Sequence, residues 1–127
     1  MRRKRTPYQK FQDELDKLCG DIVKERDGHR CRRCRKRVLV YWAHLIRRSR
    51  SKAVRWNLFN GIALCRDCHF WFDSSADKIE AALFIESMIG KEKMVELNEL
   101  AHDKNAKPWL ISDLKKKKVE LTDKLIK

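Results

Sequence analysis

Cys31-Arg32-Arg33-Cys34 and Cys65-Arg66-Asp67-Cys68 are two CxxC pairs with thirty residues between them. Tetrahedral zinc takes four thiolates, and each CxxC forms a tight knuckle that the fold can bring against its counterpart. The spacer exceeds the roughly 15 to 20 residues of a compact zinc ribbon, so something is inserted between the knuckles. In a reducing compartment the four cysteines read as structural zinc ligands, with unliganded thiols or a disulfide as the lesser alternatives. Four thiolates close the coordination shell, so this zinc is expected to hold the fold and to leave no position for catalysis. The fifth cysteine, Cys19, adjoins Leu18 near an apolar stripe and reads as a small core residue.

Outward from the knuckles, the sequence alternates short strands with helices. Thr6-Pro7 is a helix start, and Tyr8, Phe11, Leu15, Leu18 and Ile22 recur at helical steps, which predicts a helix over residues 7–25 ended by Asp27-Gly28. Residues 38–42 and 61–64 read as strands, and residues 65–73 as a short helix. Ser74 and Ser75 are the expected caps of the next helix, whose apolar face is Ile79, Ala82, Leu83, Ile85, Met88 and Ile89 and which Gly90 closes. Met94, Leu97, Leu100 and Ala101 mark a further helix. Pro108 interrupts the chain before Ser112 begins a last segment edged by Leu114, Val119, Leu121, Leu125 and Ile126. The expectation is an α+β domain in three parts: a basic arm and helix over 1–28, a zinc-knuckle core over 29–75, and a helical extension over 76–127 with a basic final segment. A length of 127 residues suits one modest domain and excludes a large multidomain machine.

Thirty-one Lys and Arg against eighteen Asp and Glu give a net charge of +13, the electrostatic footprint of a polyanion binder. Residues 26–55 carry twelve of the basic residues and a single acid, Asp27. Arg47, Arg48, Arg50, Lys52 and Arg55 form a basic loop between the strands, suited to phosphate contacts that position a nucleic acid without reading its sequence. Arg30, Arg32, Arg33, Arg35, Lys36 and Arg37 surround the first knuckle and would widen the track. Residues 77–113, with eight acids and five lysines, read as a helical buttress, and the four lysines of 115–118 as a solvated face. Trp56 is expected in the core under the loop rather than stacked on a base. The longest apolar run is six residues, against about 20 for a membrane span. No apolar stretch follows the basic residues 2–5, so the expected compartment is the cytoplasm.

His44 ends the first strand, Asn60 precedes the second, and His69 follows the last cysteine. Phosphodiester hydrolysis needs a base that is neutral at working pH and a cation to neutralise charge on the phosphate, and an imidazole meets the first need. His69 and Asp73 stand at i and i+4, on one helix face, where they could clamp a divalent ion. Asn60 would orient the His44 loop or add an oxygen ligand.

The run Ala43-His44-Leu45-Ile46, then Asn60-Gly61-Ile62-Ala63-Leu64-Cys65, then Cys68-His69 and Phe72-Asp73, resembles the HNH (His-Me finger) endonucleases over residues 29–75. The resemblance implies a zinc-stabilised ββα-metal core in which His44 is the general base, Asn60 sits in the connecting loop, and His69 is a ligand of a catalytic Mg²⁺ or Mn²⁺. Ala43 stands where many members carry an Asp or His metal ligand, and Arg47 where proline is frequent; Asp73 is the carboxylate available to compensate. His44-Leu45-Ile46-Arg47-Arg48, the basic loop to Arg55-Trp56, and Glu86-Ser87-Met88-Ile89-Gly90-Lys91-Glu92 are further similar to phage NinG (Rap-like) recombination proteins. That likeness implies a nuclease acting on branched DNA inside a bacterial host, with a homodimer formed by the tail as one way to place two sites on opposing strands. The rival expectations are a non-catalytic zinc module that binds nucleic acid through the same basic face, and a protein adaptor using the acidic helices.

Overall fold

Thr6 starts the first helix because its hydroxyl accepts the Gln9 N–H at 3.1 Å while the Gln9 side chain accepts the Thr6 N–H at 3.0 Å, with Pro7 at the first helical position. Helix α1 then runs Pro7–Arg26, and the chain leaves it through Gly28 at φ 68°, a left-handed conformation that glycine adopts without steric cost. The computed structural model describes residues 4–48 and 51–126.

The strands β1, Val40–His44, and β2, Gly61–Cys65, form an antiparallel pair in the register Val40↔Cys65 to His44↔Gly61. The first strand starts two residues later than its sequence suggests: β2 ends at Cys65, so Val38 and Leu39 face no partner and stay exposed. Gly61 has to be glycine because a Cβ there would collide with the Trp42 indole. Helix α2, Arg66–Phe70, follows at once, and a wider π-helical turn, Trp71–Ser75, completes what the sequence presents as one helix.

Three helices complete the chain: α3 over Lys78–Ile89, α4 over Lys91–Ala101 and α5 over Ile111–Ile126. The cap of α3 is Asp77 rather than Ser74 or Ser75. Those serines belong to the wide turn, whereas the Asp77 carboxylate accepts the Glu80 N–H at 2.8 Å in a capping box. The packed face of α3 is also rotated from the expected one. Ala81, Phe84, Ile85, Met88 and Ile89 meet the core, drawn by the edge-to-face contact of Phe84 with Trp71 at 5.4 Å, while Ile79 and Leu83 remain exposed. On α5 the buried edge narrows to Leu114 and Leu121, and Val119 is exposed.

Two cores result. One gathers Cys31, Val40, Ala43, Leu45, Ile62, Leu64, Cys68 and Phe72 around the hairpin and α2. The other joins α1 to α5 through Leu15, Cys19, Trp56, Leu114 and Leu121, with Trp109 edge-on to Trp56 at 5.1 Å. Trp56 and Cys19 are thus core residues, and burial pushes the Cys19 thiol up to about 12. Asp27 ties the helix to the hairpin: its carboxylate accepts from Arg26, Arg32 and the Ala63 N–H. Burial opposes its ionisation, but these hydrogen bonds and the Arg26 charge outweigh burial and hold the carboxyl below its ordinary range. Among the described residues no helix is long and apolar enough to cross a membrane.

Candidate functional site

The knuckles meet as their spacing predicts. The sulfurs of Cys31, Cys34, Cys65 and Cys68 all lie within 4.8 Å of one another, and Cys34 Sγ is 3.9 Å from Cys65 Sγ. Zn–S bonds of about 2.3 Å at tetrahedral angles place sulfurs about 3.8 Å apart, so the donor set fits zinc. The first knuckle closes with the Arg35 N–H donating to the Cys31 carbonyl at 2.9 Å and the Cys31 N–H donating to the Lys36 carbonyl at 3.2 Å. Arg35 adopts a left-handed φ of 66° to do so. Burial raises the Cys31 thiol, but N–H groups of Cys34, Cys65 and Arg33 overcome it and bring Cys31 to about 6. Cys68 moves the other way, to about 12: burial dominates, a hydrogen bond from Arg33 opposes it, and the neighbouring sulfurs add to the rise. Adjoining thiolates repel until a dication neutralises them, so metal binding and loss of thiol protons are coupled in such a cluster. The four cysteines can therefore hold a structural metal ion such as zinc.

A second constellation lies in a cleft of 470 Å³ lined by Trp42, His44, Arg47, Arg48, His69, Asp73 and Ser74. The end of β1 delivers His44, and α2 with its wide turn delivers His69 and Asp73, whose Nε2 and Oδ2 are 3.0 Å apart. Burial lowers the His44 pKa from 6.5, and the Arg48 charge adds to that against smaller opposing effects of the Arg55 backbone and Asp16. The imidazole is therefore neutral at neutral pH. Its Nε2 is buried without a hydrogen-bond partner, and its ring lies 4.0 Å from that of Trp42.

Asn60 is close by in sequence terms but does not line the cleft. It is fully buried: its Oδ1 accepts the Ile46 N–H at 2.7 Å, and its Nδ2 donates to the carbonyls of Ile46 and Val54 at 3.0 and 3.1 Å. Of the two roles expected for Asn60 the geometry fits loop orientation, since the side-chain oxygen that would ligate an ion is already spent. Ala43 is buried in the first core, off the cleft. Beside His44, the cleft then offers His69 and Asp73 as the acid or imidazole side chains that could hold a metal ion.

The basic loop is not one uniform surface. Arg47 and Arg48 line the cleft, and Arg47 also donates to the Asp73 carbonyl. Arg55 is withdrawn from phosphate contact: it makes a two-point pair with Asp16 at 2.6 and 3.1 Å, packs over Trp56 at 4.9 Å, and its side chain is only 13% exposed. Lys52 is exposed, with its carbonyl accepting from Trp109 Nε1 at 3.0 Å, and Arg50 lies outside the described residues. Around the knuckle, Arg32 pairs with Asp27 and Arg33 stacks on Trp71 at 3.7 Å, while Arg30, Arg35, Lys36 and Arg37 are exposed. Sequence reasoning missed Asp16, which accepts from Arg48, Arg55 and the Trp56 indole. Its only signal was an acid next to Leu15 on the buried stripe. No family model matches the chain, and neither a curated protein nor a solved structure does.

Proposed function

We propose that the chain is a metal-dependent DNA endonuclease of the HNH (His-Me finger) type, acting on branched or recombination-intermediate DNA in the cytoplasm of a phage-infected cell. The observation that carries this reading is the cleft that joins a neutral His44, its Nε2 without a partner, to the His69–Asp73 pair and two arginines. His44 Nε2 takes the proton of an attacking water. Its lowered pKa keeps the acceptor lone pair available at neutral pH. Arg47 and Arg48 hold the phosphate, and Arg48, half exposed on Asp16, can swing onto it. His69 and Asp73 would hold Mg²⁺ or Mn²⁺, which supplies charge neutralisation at the phosphate. By analogy with the HNH type, the products carry 5′-phosphate and 3′-hydroxyl ends.

The test is cleavage of labelled four-way junction, flap, single strand and duplex with Mg²⁺ or Mn²⁺. His44→Ala is expected to cut about 10² to 10⁴-fold more slowly while binding DNA like wild type. A variant that cuts as fast as wild type refutes the mechanism. A second reading, a zinc module that binds DNA without cutting it, is favoured by one feature: position 43, where many HNH members carry a metal ligand, is an alanine buried off the cleft. Salt-dependent binding with no cleavage in either metal would support it.

A further inference from the structure

Arg66, His69, Phe70 and Asp73 stand at i, i+3, i+4 and i+7, so the helix face that presents His69 and Asp73 also presents an arginine and an aromatic ring. With Tyr41 and Ser74 these residues line a pocket of 330 Å³ that shares His69, Asp73 and Ser74 with the cleft. Phe70 is 65% exposed and Tyr41 42% exposed, although both neighbour core residues in sequence. Arg66 is 88% exposed, and its one ion pair, with an equally exposed Asp67, is a long 3.8 Å. A solvated pair of that kind holds a guanidinium weakly. Trp56, the tryptophan of the basic loop, is buried and cannot stack on a ligand.

Building on the nuclease reading, we propose that Tyr41, Phe70 and Arg66 form a stacking subsite for an unpaired nucleobase next to the phosphate held in the cleft, so that the substrate class is DNA with unstacked nucleotides. The occupant follows from the chemistry of the pocket. Aromatic rings beside a cationic groove bind single strands, since every base has a π-face and its backbone carries the complementary charge. In intact duplex both faces of each base are covered by neighbours, and the ledge has nothing to grip. The subsite thus selects flaps, single strands and branch points, and Arg66 adds a charge for the adjoining phosphate or a cation over the base.

The experiment uses the full zinc-loaded chain without Mg²⁺ or Mn²⁺ and a flap oligonucleotide carrying 2-aminopurine in its unpaired strand. The matched probe is a duplex. Wild type is expected to quench the unpaired fluorophore on binding. Phe70→Ala should lose the quenching and weaken flap binding about 5- to 150-fold, the range for one stacked base. Duplex binding should not change, and Phe70→Trp should restore both signals. Tyr41→Ala, at a second exposed ring, tests the same ledge independently. Equal losses on flap and duplex, or no loss with either variant, overturn the subsite. A parallel cleavage assay in Mg²⁺ separates the two ideas. Quenching without cleavage keeps the subsite and removes the nuclease. Cleavage of flap and duplex alike by wild type and Phe70→Ala keeps the nuclease and removes the subsite.

Discussion

Stripping metal from Cys31, Cys34, Cys65 and Cys68 should melt one core of this protein and leave the other standing. Structural zinc binding contributes on the order of 10 to 16 kcal/mol in small zinc domains, as much as the roughly 5 to 15 kcal/mol that separates a whole domain from its unfolded state. The hairpin core buries two of the ligands, Cys31 and Cys68, with a third, Cys65, packed against it at the end of β2, and a two-stranded sheet of five-residue strands is marginal without further support. The α1–α5 core contains none of them and closes through Leu15, Trp56, Leu114 and Leu121. A chelator titration at neutral pH should therefore release one zinc per chain and abolish hydrogen-exchange protection in β1 and β2. Amides of α1 and α5 should keep most of theirs, and most of the helical circular dichroism should remain. Cys34→Ser, at the exposed ligand, should reproduce the effect in part. Strand protection that survives chelation, or protein that contains no zinc after purification in its presence, would refute the argument.

Other consequences are local. On the proposed nuclease reading, because burial and the Arg48 charge both depress His44, the acid limb of kcat/KM should fall below pH 6.5, and Arg48→Ala should move it upward part of the way, burial remaining; a limb that stays or moves down in the pH-rate profile contradicts this. Asn60→Ala removes three hydrogen bonds and strands the Ile46 and Val54 groups they served, which should cost on the order of 3 kcal/mol by urea denaturation. Asp27→Ala should cost about 3 kcal/mol, since the carboxylate is 1% exposed and serves Arg26, Arg32 and the Ala63 N–H. The folded carboxyl titrates below 3.8, so that deficit is fully present above pH 3.8 and disappears as acid titrates the folded group, which denaturation midpoints across pH will show.

The features legible in the sequence were those set by short-range chemistry. CxxC spacing brought four sulfurs together, the Thr6-Pro7 start and stripe periodicity placed α1 within one residue of its observed end, and i,i+4 spacing paired His69 with Asp73. What failed depended on neighbours distant in sequence. The start of β1 is decided by where β2 stops. The buried face of α3 is decided by Trp71 and Phe72, which the wide turn swings beneath Phe84. The role of Asn60 stayed open in the sequence, because only the folded loop shows its amide committed to Ile46 and Val54. Arg55 looked like a phosphate contact for the same reason: charge is visible in a sequence, and the Asp16 that neutralises it from another element is not.

The fate of the arginines also explains why the loop between His44 and Asn60 can be long and still hold one geometry. Closing such a loop is entropically inexpensive, but holding it in one geometry requires fixed points. Asn60 pins it at Ile46 and Val54, Asp16 grips Arg55 and Trp56 from α1, and Trp109 reaches the Lys52 carbonyl from the segment before α5. The outer helices therefore act on the cleft even though none of their side chains enters it near His44. Arg48 is the exception within this frame, sharing Asp16 with the buried Arg55 yet 54% exposed. Asp16 already has Arg55 as a close partner, so releasing Arg48 leaves no buried charge unpaired. Arg48 can therefore move within the cleft that it lines together with His44.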